Sequence, residues 1–384
     1  MKDSPFIYGT TVSEKSFTNR EAETLKLQSN LVNGINTMLI SPRRWGKSSL
    51  VEKVIANINK KDKKTKTVII DLFSVSSETE FLELFAREVI KASSNKWQDW
   101  TASGGQFFKK LIPKFTLGID PNTDFNLSFD WKDLSTNSAE IIDLPEIIAK
   151  QKNIRFIICL DEFQNLAHFA NYEVFEKKLR ACWQRHKLVT YCLYGSKRHM
   201  MTDIFNNPSK PFYRFGDIML LNKITTEKWV KFICESFEQS GKKISPKIAE
   251  KIPNAMKNHS WYVQQLAHYT WNISQKTATI SDVENALNEL VRANTPLYQK
   301  EVETISATQL NLLKAIAKNE TQFTSVAVMQ THQLGTPNNV IKNKAVLISN
   351  DSIHEVNNQF EFLDPAFELW FKKQYFNQSY NNQI

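Results

Sequence analysis

Short apolar runs alternate with longer amphipathic stretches in the first part of the chain. The runs are rich in β-branched and aromatic residues and are too short for buried helices. They lie at 37–40, 67–73, 154–160, 189–194 and 218–221. Between them, apolar residues recur at helical spacing, as in 78–93. Such runs are typical of strands buried on both faces, so the pattern predicts an α/β fold, a parallel sheet with helices on both faces.

One stretch interrupts this rhythm. Apolar and polar residues alternate at 114–120 and again at 125–131. The residues between them, Pro121–Asp124, have the composition of a turn. The pattern predicts a β-hairpin inserted before the apolar run at 154–160.

Beyond residue 224 the strand signals stop and helical spacing takes over. Four helices are predicted, at 229–239, 244–258, 261–275 and 280–294. Thr295-Pro296 follows them, and proline disfavours continuation of a helix, so a boundary is predicted there. This segment is interpreted as a small helical lid domain.

The last part of the chain has a different order of elements. Three helices are predicted, at 307–317, 325–331 and 337–349. A hairpin at 352–363, turning at Asn357-Asn358, comes next, and an aromatic-rich helix begins after Asp364. Helices followed by such a hairpin form a winged-helix arrangement. The predicted domains are therefore a core at 1–223, a lid at 224–296 and a winged helix at 297–384.

Composition places the chain among ordinary globular proteins, with 384 residues, 41% hydrophobic and 23% charged. The longest apolar runs fall far short of the roughly 20 residues that a membrane helix needs. The first residues contain no apolar signal segment, so no membrane association is predicted. The four cysteines, at 159, 182, 192 and 234, show no C-x-x-C spacing, and we expect buried thiols in a reducing cytoplasm.

The net charge of +9 indicates an anionic partner only where the cations share a surface. Residues 300–384 contain 7 Lys, no Arg and 8 Asp plus Glu, so the predicted winged-helix domain is close to neutral. Affinity for DNA depends mostly on cationic contacts with phosphates. The charge distribution therefore weakens the prediction that this domain binds DNA.

The stretch Ile40–Ser49 carries the candidate chemistry. It reads Ile-Ser-Pro-Arg-Arg-Trp-Gly-Lys-Ser-Ser, after a predicted strand and before a predicted helix. This is the context of a phosphate-binding loop, whose backbone N–H groups and helix N-terminus face an anion. The predicted nucleotide contacts are Ser41, Pro42, Arg43, Arg44, Trp45, Gly46, Lys47, Ser48 and Ser49.

Individual residues of this loop have distinct predicted roles. Gly46 lets the backbone approach a phosphate, Lys47 reaches the β- and γ-phosphates, and the Ser48 hydroxyl completes a Mg²⁺ shell. Ser41 stands where the pattern has its first glycine, and serine is less free to adopt φ > 0. A chance Gly-Lys-Ser in an ordinary loop is the alternative, but the flanking strand and helix favour nucleotide binding.

An acidic pair, Asp161-Glu162, ends the apolar run at 154–160. Ligands of open α/β sheets bind at the carboxyl ends of the strands, so both acids are expected at the phosphate edge. Asp161 would hold Mg²⁺, Glu162 would act as general base towards the attacking water, and Gln164 would help to orient that water. An acidic helix start after a core strand is the alternative, and the phosphate loop upstream disfavours it.

Two further positions are candidates for contact with the γ-phosphate. Ser196 follows the strand at 189–194 and is a candidate sensor, with an ordinary turn serine as the alternative. Arg214, which precedes the run at 218–221, is a candidate arginine finger. A structural ion pair is the alternative for Arg214.

The ordered motifs resemble the archaeal-type AAA+ ATPases with bacterial members, which stand near the STAND signalling ATPases. The resemblance covers most of the chain. The matching stretches are Phe17 with Asn19-Arg20-Glu21, Pro42–Ser48, Leu160–Gln164, Gly195-Ser196, Phe212–Arg214 and Phe362–Pro365. It implies a P-loop ATPase core, a helical lid and a winged helix, with ATP and Mg²⁺ as cofactors. It also implies that Arg20 borders the nucleotide and that Arg214 is a sensor or a finger.

Two departures from the family pattern concern the same site. Ser41 replaces the first glycine, and Asn258-His259-Ser260 stands where the lid normally carries Gly-x-Pro. The lead-in before residue 36 is either a capping helix or a cover for the adenine ring. Neither departure removes Lys47 or Glu162, so hydrolysis remains the expectation.

Three functions are consistent with the sequence. The preferred one is a slow ATPase in which ATP–Mg²⁺ hydrolysis drives a conformational switch. The alternatives are a nucleotide-dependent DNA-binding protein acting through the winged helix, and a scaffold that holds ATP without hydrolysing it. The sequence leaves open the protein client and whether several copies of the chain assemble.

Overall fold

The computed structural model describes residues 3–10, 19–93, 115–118, 126–129, 138–356 and 359–380. The chain forms two compact units. The sheet unit consists of residues 20–43 and 47–222. The C-terminal unit consists of residues 223–384, the described residues before Arg20, and the segment Arg44–Gly46.

The sheet unit is built on five parallel strands, as the apolar runs predicted. Their order across the sheet is β2-β5-β6-β1-β7. The bounds are β1 Thr37–Ile40, β2 Thr65–Asp71, β5 Arg155–Asp161, β6 Val189–Gly195 and β7 Asp217–Leu220. All four residues of β1 and all seven of β6 are buried, which explains their uninterrupted apolar character.

The parallel register decides where the functional residues lie. Ile40 pairs with Gly195 on one side and with Leu220 on the other, and Asp71 pairs with Asp161. Parallel strands in register end at the same edge of the sheet. The residues that follow β1, β5 and β6 therefore meet at one carboxyl edge.

Helices connect the strands of the sheet unit. They are α1 Glu21–Val32, α2 Lys47–Lys61, α3 Glu78–Ser93, α4 Ser138–Lys152, α5 Tyr172–Trp183 and α6 Arg198–Asn206, with a 3₁₀ helix at Phe163–His168. The sequence analysis did not predict α6, Arg198–Asn206. Met201, Ile204 and Phe205 are buried and give α6 its apolar face.

An aromatic cluster includes Tyr191 of β6 and Phe163, which lies just after the end of β5. Trp183 stacks on Tyr191 with ring centroids 4.2 Å apart, and Phe163 stacks on Phe205 at 5.8 Å. Phe163 also meets the edge of Phe212 at 5.4 Å. Aromatic pairs in these geometries contribute about 0.5–1.5 kcal/mol each beyond their burial. Because Phe163 follows Glu162 directly, the cluster anchors the turn that carries the acidic pair.

The predicted inserted hairpin is present as the antiparallel pair β3 (Phe115–Gly118) and β4 (Asn126–Phe129). Phe115 lies opposite Phe129 and Gly118 lies opposite Asn126. The predicted turn at Pro121–Asp124 lies outside the described residues.

The C-terminal unit begins with helices and ends with a hairpin and a final helix. The elements are α7 Thr226–Gln239, α8 Pro246–Ala249, α9 Lys251–Ala255, α10 Ser260–Ile273, α11 Ile280–Glu303, α12 Ala307–Ala317, α13 Val326–His332, α14 Pro337–Ser349, β8 Ile353–Val356, β9 Gln359–Phe362 and α15 Pro365–Phe376. One continuous apolar core joins them, from Phe6 and Trp229 to Trp370. The separation into a lid at 224–296 and a winged helix at 297–384 stays a prediction.

The helix predicted to end at Asn294 continues to Glu303 through Pro296, so the helix end predicted there was wrong. Proline removes a backbone donor and disfavours a helix interior. Two polar side chains bond carbonyls of the preceding turn, Asn294 Nδ2 to the Leu290 carbonyl at 2.8 Å and Thr295 Oγ1 to the Val291 carbonyl at 3.0 Å. Tyr298, one turn later, is buried and continues the apolar face of the helix.

The single helix predicted at 244–258 is two short helices, α8 and α9. Ser245 caps the first, since its hydroxyl accepts a hydrogen bond from the Ile248 N–H. Lys257 and Asn258 have positive φ, which ends the helical run before α10.

None of the helices in the described ranges is long and apolar enough to cross a membrane.

The winged-helix elements follow their predicted order. The predicted bounds of α12 and α14 are confirmed, and β8 pairs with β9 in antiparallel register, with Ile353 opposite Phe362. The predicted turn at Asn357-Asn358 lies outside the described residues. Asp364 begins α15, because its Oδ1 accepts hydrogen bonds from the Ala366 and Phe367 N–H groups, each at 2.9 Å.

We expect Asp364→Ala to lower the free energy of unfolding by about 2–4 kcal/mol. Asp364 both caps α15, worth about 1 kcal/mol, and accepts the hydroxyl of buried Tyr262, whose loss of a partner costs about 1–3 kcal/mol. Urea unfolding would measure the change. Thr279→Ala is the matched control, since Thr279 caps α11 at an exposed position and its loss should cost about 1 kcal/mol only. Equal losses for the two variants would contradict a role for Tyr262.

Candidate phosphate-binding site

The loop after β1 has the backbone of an anion-binding turn. Arg44 has φ 63° and Gly46 has φ 91°, both in the left-handed region. Left-handed residues among right-handed ones point successive N–H groups into one concavity, which suits an anion. A Cβ added to Gly46 would meet no atom within 4 Å, so this position needs glycine for its φ and not for space.

Lys47 is the first residue of α2 and its side chain folds back over the loop. Its Nζ donates hydrogen bonds to the Ser41 carbonyl at 3.1 Å and to the Pro42 carbonyl at 3.0 Å. The ammonium group is thus held at the mouth of the loop and at the N-terminus of a helix. Ser49 is buried in the first turn of the same helix.

Ser41, the departure from the first-glycine pattern, fits its position without strain. It is not among the positive-φ residues of the described chain. Its side chain is buried, and its hydroxyl donates to the Pro42 carbonyl at 3.2 Å. The conformational freedom of glycine is therefore not required at this position.

Ser48 and Asp161 form the candidate metal site. The Ser48 hydroxyl donates to Asp161 Oδ2 at 2.9 Å, which joins the start of α2 to the end of β5. Burial, together with the neighbouring Glu162 charge, raises the pKa of Asp161 to about 6, although the bond from Ser48 works in the opposite direction. A hydroxyl and a carboxylate are hard oxygen donors of the kind that Mg²⁺ prefers, so these residues fit the predicted ion.

Glu162 is held by a clamp of three donors. Its Oε2 accepts the Ser196 hydroxyl at 2.8 Å, the Ser196 N–H at 3.3 Å and the Gln164 side-chain amide. Glu162 has φ 51°, a left-handed conformation that turns its side chain across the strand end. The structure thus places Ser196 beside Glu162, the predicted general base. The sequence analysis proposed Ser196 as a sensor of the γ-phosphate.

Arg43 connects the loop to this clamp, because its Nε donates to the Ser196 hydroxyl at 3.3 Å. Sequence reasoning assigned Arg43 to the nucleotide and Ser196 to the γ-phosphate as separate elements. The hydrogen bonds instead form a chain from Arg43 through Ser196 to Glu162. A bound anion that displaced Arg43 would therefore also act on Glu162, because two hydrogen bonds connect these residues through Ser196.

Gly195, which the sequence analysis named only as part of the matching stretch Gly195-Ser196, has a steric role in the site. A Cβ on Gly195 would lie 1.9 Å from Gln164 Oε1 and 2.9 Å from Met201 Sδ. The glycine therefore makes room for the Gln164 side chain, which is only 1% exposed. A glycine between an apolar strand and a polar residue was the available signal.

Arg20, predicted from the resemblance to border the nucleotide, lies at the carboxyl edge of the sheet. It is buried, and its guanidinium donates to the carbonyl of Asn222, just beyond β7, at 2.6 Å and to Glu23 at 2.8 Å. Burial lowers the pKa of Arg20. These contacts tie α1 to the end of β7, and a contact with nucleotide stays a prediction.

Arg214 lies at the opposite edge of the sheet. It precedes β7, whose first residue Asp217 pairs with Thr37 at the start of β1, whereas the phosphate loop follows the end of β1. A four-residue strand spans roughly 13 Å. Arg214 is exposed and lies over the ring of Tyr213 at 5.1 Å. This geometry does not bring Arg214 to the phosphate loop of its own chain, so only a role towards a neighbouring copy stays a prediction.

The central loop residues make their contacts within the C-terminal unit. The Arg44 guanidinium lies 4.6 Å from the centroid of Trp261, and the ring of Trp45 meets the edge of His259 at 6.4 Å. Lys223 Nζ lies 5.6 Å from the Trp45 ring. Burial, reinforced by the charges of Lys223 and Arg44, lowers the pKa of His259 to about 3, so this imidazole is neutral at physiological pH.

Gly195→Ala should displace Gln164 and lower the free energy of unfolding by about 1–3 kcal/mol, the usual cost of overpacking a buried site. Denaturant unfolding of Gly195→Ala, Gln164→Ala and the double variant would test this. In the double variant the added methyl has room, so the cost of Gly195→Ala should fall below 1 kcal/mol. A cost that is the same in both backgrounds would show that Gln164 is not the obstacle.

Two archaeal proteins of known structure are among those similar to this chain. The Walker-type ATPase PABY2304 of Pyrococcus abyssi matches with a TM-score of 0.66 and 15% identity, covering 96% of this chain and 99% of that chain. The ORC2 protein of Aeropyrum pernix, in ADPNP–ADP complexes, matches with a TM-score of 0.57 and 13% identity, covering 94% of each chain. Its ADP form gives a TM-score of 0.54 and 14% identity, covering 94% of this chain and 93% of that chain.

Residues 296–373 match the family described as "Probable winged helix domain". Among curated proteins, none matches the chain in sequence. The structural likeness, at identities of 13–15%, is a likeness of fold. The expected resemblance to archaeal ATPases is thereby confirmed at that level: the chain has the α/β fold of a P-loop ATPase, followed by a C-terminal winged helix.

Proposed function

We propose that the chain binds ATP with Mg²⁺ and hydrolyses it slowly. The observation that carries the proposal is the hydrogen bond between Ser48 and Asp161, which joins the start of α2 to the end of β5 at the carboxyl edge. Lys47 is the first residue of α2 and Glu162 directly follows β5, and both belong to the sheet unit. Phosphoryl transfer to water needs a cation that binds the phosphates, oxygen ligands for Mg²⁺ and a carboxylate base.

Each residue has a definable task in this reaction. Lys47 and the loop N–H groups hold the phosphates, and Ser48 with Asp161 would hold Mg²⁺. The ion, when bound, would neutralise charge that develops on the phosphate oxygens. Glu162 accepts a proton from the attacking water, and a carboxylate has about four lone-pair sites, so the clamp on Oε2 orients it without saturating it.

Slow turnover is expected because Arg214 lies away from the chain's own phosphate loop. Cations that stabilise the transferring phosphoryl group raise turnover by about 10³–10⁵-fold in related chemistry. A neighbouring copy could supply Arg214, so assembly would accelerate the reaction.

We propose that hydrolysis drives a conformational switch. Hydrogen bonds inside the sheet unit, from Arg43 through Ser196 to Glu162, support this proposal, because a change in the phosphates held by the loop would alter them. We also place the protein in the cytoplasm, which suits its four free cysteines.

The winged helix is proposed to contact a protein client, with DNA as the alternative. On α13 and α14, Val326 is 66% exposed and Ile341 is 60% exposed. Lys344 of α14 lies over its own domain's Phe360 at 4.2 Å. Exposed apolar side chains suit contact with a protein surface better than contact with a phosphate backbone.

Lys47→Ala should abolish measurable ATP affinity, because it removes the cation at the loop mouth. Glu162→Gln should bind ATP as the wild type does and lose turnover by at least about 10²-fold, the usual contribution of a general base. Calorimetric binding and phosphate release would separate the two effects. Glu88→Gln, which changes a carboxylate paired with Arg87 on α3, is the control for charge loss in the same unit. Full turnover by Glu162→Gln would remove Glu162 from the base role.

The dependence of ATP affinity on Mg²⁺ should weaken as the pH falls through about 6. The raised pKa of Asp161 means that below this value the metal-free carboxyl is protonated and cannot bind a cation. ATP affinity with and without Mg²⁺, measured at pH values on both sides of 6, would test this. Asp161→Asn reports the nucleotide's own titration, and a wild-type profile identical to it would contradict the assignment.

A further inference from the structure

Arg44 adopts a backbone conformation that is disfavoured for a residue with a side chain. Its φ of 63° is left-handed, and arginine gains no local hydrogen bond there of the kind that Asn and Asp make. The conformation persists in folded proteins only when surrounding contacts hold it. The contacts of the Arg44 side chain therefore bear on the shape of the phosphate loop.

The main described contact of that side chain is Trp261, in the first turn of α10. The guanidinium carbon lies 4.6 Å from the ring centroid, a cation–π geometry. Trp261 is itself fixed, because Tyr8 meets its ring edge-on at a centroid distance of 6.0 Å. Gly9 lies against the same indole, with an ideal Cβ only 3.9 Å from its Cη2.

The next loop residue is held by the same end of the helix. Trp45 meets His259, the N-cap of α10, and Lys223 lies over the Trp45 ring. The two residues at the start of α10 thus hold two consecutive residues of the loop. All these residues belong to the C-terminal unit, so the contacts are internal to one compact body.

We propose that Trp261 is a positioning residue for the phosphate loop: by holding Arg44 in its left-handed conformation, it keeps the loop N–H groups directed at the phosphates. The inference rests on the proposed binding of ATP. Trp261 touches neither phosphate nor metal in this proposal. It acts through the backbone of Arg44.

The test is ATP affinity, measured by calorimetry, for Trp261→Ala, Trp261→Phe and Arg44→Ala. An exposed cation–π contact corresponds to about a two- to fivefold change in affinity, so Trp261→Ala and Arg44→Ala should each weaken binding by about that factor. Trp261→Phe should retain part of the affinity. Arg44 is exposed, so Arg44→Ala carries little risk of misfolding and probes the contact independently.

A second variant pair separates positioning from general damage. Arg44→Gly removes the side chain but permits φ > 0, so it should bind ATP more tightly than Arg44→Ala. In the Arg44→Gly background, Trp261→Ala should have no further effect. Trp271→Ala is the matched control, because Trp271 lies on the same helix and carries the same type of contact, with Lys242 Nζ 3.9 Å from its ring. It should leave ATP affinity unchanged.

The outcomes distinguish this inference from the proposed function. Wild-type binding that Lys47→Ala abolishes, together with unchanged binding by Trp261→Ala and Arg44→Ala, would overturn the inference alone. An equal loss from Trp261→Ala in the wild-type and Arg44→Gly backgrounds would also overturn it. A wild type that fails to bind ATP, or that binds it as well as Lys47→Ala does, would overturn the proposed function and this inference with it.

Discussion

The parallel register of β1, β5 and β6 is the constraint on which the site depends. Ile40 lies beside Gly195, and β5 pairs with β6 up to Leu160 and Leu193, so the residues after these strands meet at one edge. The strands are held there by the near-complete burial of their side chains, which leaves little freedom to slip by a residue. Lys47, Ser48, Asp161, Glu162 and Ser196 each lie at one of these strand ends or at the start of the helix that follows.

Burial at that edge imposes a second constraint, because polar groups without partners are costly there. Lys47 bonds loop carbonyls, and Glu162 collects three donors from Ser196 and Gln164. Asp161 accepts the Ser48 hydroxyl and the Glu162 N–H, and burial raises its pKa to about 6. Of the two acids, Asp161 is therefore the one whose surroundings would gain most from a cation.

The elements whose bounds were predicted correctly are helices whose ends depend on residues close in sequence. Helices at 78–93, 307–317 and 337–349 have the predicted bounds because their apolar spacing and caps agree. The sequence could not show that α11 passes through Pro296, because the burial of Tyr298, which continues the apolar face of the helix, depends on tertiary packing. Arg214 was assigned to the γ-phosphate although it precedes β7, and in a parallel sheet a residue before a strand lies at the edge opposite the phosphate loop. The clamp on Glu162 likewise joins residues 34 positions apart.

The contact between Arg44 and Trp261 has a thermodynamic consequence for the proposed function. If ATP binding favours the left-handed form of Arg44, then whatever stabilises that form in the C-terminal unit strengthens ATP binding by the same factor. The coupling is reciprocal, so a client that strains Trp261 or the residues around Tyr8 would weaken nucleotide affinity. A modest contact is sufficient for this, because a factor of a few in affinity shifts the balance between states that differ little in free energy. The loop tip would then report the state of the C-terminal unit to the nucleotide, as well as the reverse.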